Sequence, residues 1–229
     1  MNAPRRVRLG MITPSSNTAL EPATAALLSD RADVSVHFAR FRVTQIALGA
    51  ESDAQFDMEP MLAAADLLAD ARCDAICWNG TSGSWLGLDR DRALCTAIRS
   101  RTGIPATTAS LALLQDFAAH GVRRFGLVTP YAGDVQSRIA ALYAQAGYEC
   151  VAERHLGLRE NFSFAEVAAP DIERMVREVA QARPDAVVVL CTNMDASREA
   201  PRLSRDLGVP VLDSIAVALE GALRTSRGG

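Results

Sequence analysis

The chain carries one strand-end pattern twice. Asp74-Ala75-Ile76-Cys77-Trp78-Asn79-Gly80-Thr81-Ser82 aligns with Asp185-Ala186-Val187-Val188-Val189-Leu190-Cys191-Thr192-Asn193. Each copy is an apolar run that breaks into small polar residues. Further echoes surround the pair. The run from Leu9 to Pro14 returns as Arg124 to Pro130, and Gly103 to Thr108 returns as Gly208 to Asp213. A duplicated sequence builds two like units facing one another. At the turn, Gly80 stands where Cys191 stands in the second copy. One thiol opposite one glycine handles protons from one face of a cleft only.

Short apolar runs alternate with helical periodicity along the whole length. Strands are predicted at residues 7–13, 34–41, 75–78, 124–129, 149–156 and 186–190, with short ones after Gly103 and Gly208. Helices are predicted at residues 18–28, 57–71, 89–101, 111–120, 135–146, 171–182, 201–207 and 214–223. Glu21 and Pro22 suit a first helical turn, and Gly121, Gly147 and Gly208 suit helix ends. Apolar strands alternating with helices are the pattern of parallel sheets covered on both faces. The expected class is α/β, with two pseudo-symmetric lobes, each a short parallel sheet flanked by helices, and the active site in the cleft between them. The last helix is expected to pack back on the first lobe. That gives a discontinuous N-terminal lobe of residues 1–110 plus 214–229 and a C-terminal lobe of residues 111–213. Residues 1–8 read as a basic tail entering the first strand, and the Arg/Gly stretch after residue 223 reads as disordered.

Composition removes several functions. The chain of 229 residues is 49% hydrophobic, ample for a buried core. Its net charge is -3 and its basic residues are scattered, so no nucleic-acid surface is expected. No apolar run approaches the roughly 18 residues that cross a membrane. The apolar stretch after the basic start is too short for a signal peptide, which leaves a cytoplasmic expectation. Cys73, Cys77, Cys95, Cys150 and Cys191 are odd in number and lack paired CxxC knuckles. They argue against a disulfide framework and against zinc. His37, His120 and His155 are isolated from one another and are expected at surfaces or helix ends. Gly80-Thr81-Ser82-Gly83-Ser84 misses the GxSxG spacing, and Gly80, Gly83 and Gly87 miss GxGxxG. Neither a serine hydrolase nor a dinucleotide enzyme is favoured.

In open parallel sheets ligands bind beyond the carboxyl ends of the strands. Four strand ends carry suitable residues: Pro14-Ser15-Ser16-Asn17, Gly80-Thr81-Ser82, Pro130-Tyr131 and Cys191-Thr192-Asn193. Thr81, Ser82, Ser15, Ser16 and Thr192 are expected to donate to an anionic substrate or an enolate. Ordinary helix capping is the alternative for any one of them. Cys191 is expected beside a helix N-terminus, with a lowered pKa and a proton-transfer role. The other cysteines are expected to be small buried hydrophobes.

These residues resemble the Asp/Glu racemase superfamily, in its maleate isomerase and arylmalonate decarboxylase branch, from Leu9 to about Ala218. The resemblance implies two lobes, no cofactor, no metal and a planar enolate-like intermediate. Pro14-Ser15-Ser16-Asn17-Thr18 with Glu21 is similar to the isomerase motif whose asparagine holds a substrate carboxylate. Tyr131 matches a tyrosine that helps bind the same anion, and Asn161 matches a second carboxylate-binding asparagine. Cys191 matches the second-lobe cysteine of both groups. Gly80 departs from the isomerases and racemases, which carry cysteine there, and agrees with the decarboxylases.

The expected function is therefore a cofactor-independent decarboxylase of a small malonate-type dicarboxylic acid. Asn17, Tyr131 and Asn161 would anchor the retained carboxylate. Thr81, Ser82, Thr192 and Ser15 would stabilise the enolate, and Cys191 would protonate it. Gly80 would leave room for the larger substituent, with Trp85 or Leu86 against the departing carboxylate. A maleate-type isomerase with Cys191 as nucleophile is the alternative, followed by a non-catalytic dicarboxylate-binding protein and a racemase. The protein is expected to act as a monomer or a homo-oligomer.

Overall fold

A computed structural model describes residues 6–228. The start of the basic tail and the terminal glycine lie outside these residues. The first half runs β1 (Val7–Pro14), α1 (Leu20–Leu27), β2 (Val34–Phe41), α2 (Ala50–Ala54), α3 (Met58–Asp70), β3 (Ala75–Trp78), α4 (Gly83–Leu86), α5 (Leu88–Thr102) and β4 (Ala106–Thr108). The second half runs α6 (Ala109–Ala119), β5 (Arg124–Tyr131), α7 (Gly133–Gln145), β6 (Glu149–Leu158), α8 (Ala169–Ala180), β7 (Ala186–Val189), α9 (Ala200–Leu207), β8 (Val211–Asp213) and α10 (Ser214–Ser226). Two four-stranded sheets result, in the orders β2-β1-β3-β4 and β6-β5-β7-β8. Every rung in both is parallel. The duplication in sequence is thus a duplication of topology.

β3 and β7 are buried at every residue, because helices cover both faces of their sheets. Their symmetric positions send Gly80 and Cys191 off the ends of matched strands. β5 runs further than periodicity indicates, through Pro130 to Tyr131. Its last rung with β7 is Val128↔Val189, so Pro130 removes no hydrogen bond on that side. The register with β6 shifts between Thr129 and Tyr131. This irregularity carries the tyrosine toward the other lobe.

Three short elements escape the periodic reading: α2, α4 and a 3-10 turn over Phe162–Glu166. Each is too short to show a repeat. The expectation of a disordered tail after residue 223 is corrected, because α10 continues to Ser226. The added turn is held by Arg224, 2.9 Å from Asp116 of α6, and by Thr225, whose Oγ1 donates to the Gly221 carbonyl at 2.8 Å.

Each half completes the other. α10 follows β8 yet packs on the first sheet. α6 follows β4 yet sends Phe117 against Phe125 of β5 and Tyr143 of α7, at ring-centroid separations of 5.4 and 6.1 Å. Thr108 and Asp213 cap these two helices at matched positions, each accepting backbone N–H bonds from the first turn. Where α6 and α10 touch, Gly221 permits the approach. A β-carbon there would lie 2.5 Å from Cβ of Ala112. Gly221→Ala is expected to cost about 1–3 kcal/mol through overpacking. Urea denaturation measures this, and an unchanged midpoint would show that the helices can separate freely.

Candidate active site

The polar ends of β1, β3, β5 and β7 meet between the sheets. Asn17 sits after β1 and serves both lobes. Its Oδ1 accepts the Leu20 N–H at 3.0 Å, and its Nδ2 donates to the Thr192 carbonyl at 2.9 Å. Thr192 answers by donating Oγ1 to the Asn79 carbonyl at 2.9 Å. Asn193 reaches back, its Oδ1 accepting the N–H groups of Thr18 and Ala19 at 3.0 and 3.2 Å. Its Nδ2 donates to the Asn161 carbonyl. Asn161 in turn donates Nδ2 to Ser16 Oγ at 2.8 Å. All four residues are buried, so these bonds satisfy groups that water does not reach.

Deeper in the cleft, Thr81 Oγ1 and the Tyr131 hydroxyl lie 2.8 Å apart. The same hydroxyl lies near enough to the Cys191 sulfur to lower its pKa. Asn79 is bonded to Thr192, and Tyr131 lies between Thr81 and Cys191. Gly80, between Asn79 and Thr81, therefore lies on the wall facing the Cys191 turn. Cys191 is only 3% exposed, and its sulfur accepts the Asn193 N–H at 3.3 Å.

Burial sets the state of this thiol. It pushes Cys191 up from 9.0 to about 11, against the lowering effects of the Tyr131 hydroxyl and the Asn193 and Met194 N–H groups. Asp213, behind it, raises it further. The expected lowered pKa is corrected here. Residues 192–199 run through turns and the helix that follows Cys191 begins only at Ala200, so the sulfur does not sit at the N-terminus of that helix. Cys191 rests as a protonated thiol, the form that gives a proton. Tyr131 is pushed well above its ordinary value, again chiefly by burial.

Most of the residues expected from sequence come together: Pro14, Asn17, Gly80, Thr81, Ser82, Tyr131, Asn161, Cys191 and Thr192 are all buried at or beside this junction. Ser15 does not join them. It is exposed, and its hydroxyl accepts the Val43 N–H at 3.2 Å. Ser16 takes part instead, through Asn161 and the Val43 carbonyl. The expectation that Gly80 leaves room for a large group is also corrected. A β-carbon at Gly80 would lie 2.2 Å from Cζ2 of Trp78, so the indole already fills that space. Trp85 stands edge-on to Tyr131 at 5.2 Å, with its Nε1 buried and unpartnered.

Sequence reasoning gave no separate role to Asn193 or Trp78. Asn193 had a signal, since it pairs with Ser82 in the duplication. Trp78 had a fainter one, as an indole at a strand end where the second copy has Val189. The remaining cysteines lie elsewhere, with Cys77 beneath α10. Among the described residues no group of three or more His, Cys, Asp or Glu side chains is placed to hold a metal, and no helix is long and apolar enough to cross a membrane.

The arylmalonate decarboxylase family model matches residues 9–227. The chain belongs to that family. It is 29% identical to arylmalonate decarboxylase from Bordetella bronchiseptica over 222 residues, covering 95% of this chain and 92% of that one. It is 24% identical to maleate isomerase from Geobacillus stearothermophilus, covering 92% and 88%. Among solved structures, a liganded arylmalonate decarboxylase variant with one glycine-to-cysteine and one cysteine-to-serine substitution aligns with TM-score 0.86 and 28% identity, over 97% of this chain and 94% of that one. Maleate cis-trans isomerase from Nocardia farcinica, bearing a covalent succinylcysteine, shares the fold with TM-score 0.88 at 22% identity, over 96% and 92%. The family thus joins decarboxylases and isomerases on this two-sheet fold.

Two outcomes test the geometry. The Cys191 thiolate, followed by ultraviolet absorbance as the difference from Cys191→Ser, is expected to appear near pH 11. A transition at or below the ordinary 9.0 would place the sulfur in a wetter or more cationic setting. Asn193→Ala is expected to lower stability by about 1–3 kcal/mol in thermal unfolding, because it strands buried backbone groups of both lobes.

Proposed function

We propose that the chain is a cofactor-independent carboxy-lyase acting on a small malonate-type dicarboxylic acid. The observation that carries this reading is one buried cysteine, Cys191, near the Tyr131 hydroxyl that lies 2.8 Å from Thr81 Oγ1, with Gly80 at the matched strand end; burial favours the protonated thiol. The substrate enters when the loops bearing Asn17 and Asn161 part from the Cys191 turn. One carboxylate takes the donors that now bond protein to protein: the amides of Asn17 and Asn161 and the hydroxyl of Tyr131. The second carboxylate lies against Trp85 and Leu86, where poor solvation disfavours its charge.

Loss of carbon dioxide breaks the bond between that carboxyl and the α-carbon. The bonding pair passes into the retained carboxylate, making an enediolate. Thr81, Ser82 and Tyr131 hydroxyls and the Thr192 backbone then donate to oxygens whose charge has grown. One such preorganised donor is worth about 3 kcal/mol in the transition state. The α-carbon takes the Cys191 proton, and water restores the thiol. An enediolate carbon is a much stronger base than a thiolate, so a thiol near 11 still gives its proton downhill. The reaction needs no second thiol.

A cis-trans isomerase is the second reading, favoured by the two asparagine amides beside the site. It requires Cys191 to attack as thiolate, which burial opposes. Incubation with methylmalonate in D2O separates the readings. The lyase is expected to release carbon dioxide and leave one deuterium on the α-carbon, and Cys191→Ser is expected to abolish this while the protein stays folded. Conversion of maleate to fumarate, without decarboxylation of any malonate, would establish the isomerase.

A further inference from the structure

We propose that Trp78 is a positioning and specificity-determining residue of this cleft. Two contacts support it. The indole Nε1 donates to Ser82 Oγ at 3.1 Å. The six-membered ring lies where any side chain at position 80 would project, with Cζ2, Cε2 and Cη2 at 2.2, 2.6 and 2.6 Å from an ideal β-carbon.

The first contact fixes a hydroxyl. A serine oxygen that accepts from an indole has its own hydrogen left to give. Trp78 therefore sets Ser82 as a donor toward the cleft, next to Thr81. The indole cannot easily turn away. It is 1% exposed and held by Phe41 and Phe56, with ring centroids at 5.2 and 6.4 Å.

The second contact limits the substrate. By the duplication, position 80 is the wall opposite Cys191, the side to which an α-substituent turns when the thiol protonates the other face. An indole in that volume takes up room that a bulky α-substituent such as an aryl ring would need on this side. Resting on the carboxy-lyase reading, this narrows the substrate class to malonates with a small α-substituent. It also means that the glycine at 80 cannot accept a thiol while the indole remains.

The experiment has two arms. Melting temperatures of wild type, Gly80→Cys, Trp78→Leu and the double variant form a cycle that needs no activity. Gly80→Cys is expected to lower the melting temperature, and Trp78→Leu is expected to remove most of that loss. Equal losses in both backgrounds would overturn the steric assignment. The second arm compares phenylmalonate with methylmalonate. Trp78→Leu is expected to raise the kcat/KM ratio in favour of phenylmalonate by about tenfold or more, the scale on which one pocket volume acts. An unchanged ratio would overturn the specificity role. Where leucine unfolds the protein, Trp78→Phe serves in both arms. It removes the N–H from Ser82 and is expected to lower kcat for methylmalonate more than it changes KM; equal kcat would overturn the positioning role. Should wild type decarboxylate neither malonate, the lyase reading fails alone. The melting cycle then still decides the steric claim, and the ratio of calorimetric Kd values decides specificity.

Discussion

The bond pair between Thr192 and the two residues Asn17 and Asn79 holds this structure in working form. Its hydroxyl goes to one segment of the first lobe, and its carbonyl receives an amide from another. Both bonds cross between sheets at the ends of matched strands. They bring Cys191 and Gly80 to opposite sides of one narrow space. Because the groups are buried, they bind one another where a ligand would otherwise bind them. The clasp thus lies among the residues that the proposed function assigns to the substrate carboxylate, and on that proposal opening it exchanges internal partners for an anion.

Low polarity around the sulfur decides which chemistry the fold supports. A thiol beside a cation or a helix N-terminus ionises readily and attacks. Cys191 is surrounded by buried groups, and burial holds its pKa above the ordinary value. The tyrosine near it is equally reluctant to ionise. On the proposed reading, two retained protons beside a developing negative charge form a donor system.

The fold was legible because duplication and periodicity act over long stretches. The boundaries of β2 and β3 agree with the sequence reading, and those of α3 lie within a residue of it. Short elements such as α4 carried no repeat to detect. The site was legible at strand ends, where Asn17, Thr81, Tyr131 and Cys191 have both the right chemistry and the right position. Ser15 shows where that reasoning runs out, because it is exposed and its hydroxyl bonds to Val43, whereas the hydroxyl of the next residue, Ser16, also receives the Asn161 amide. The ionisation of Cys191 was misjudged for a related reason. It depends chiefly on how deeply the sulfur is buried, which the packing of both lobes around it determines. The space at Gly80 was misread because a glycine shows what it lacks and not what a distant ring supplies.

The exchange of α6 and α10 between sheets has a consequence for how the protein is made. The first sheet's cover is supplied by the last helix of the chain. During synthesis, β1 to β4 must wait with Leu9, Met11 and Cys77 uncovered until α10 leaves the ribosome. The two sheets therefore do not have separate covers, and the gap between them is complete only once α10 has packed against β1 and β3.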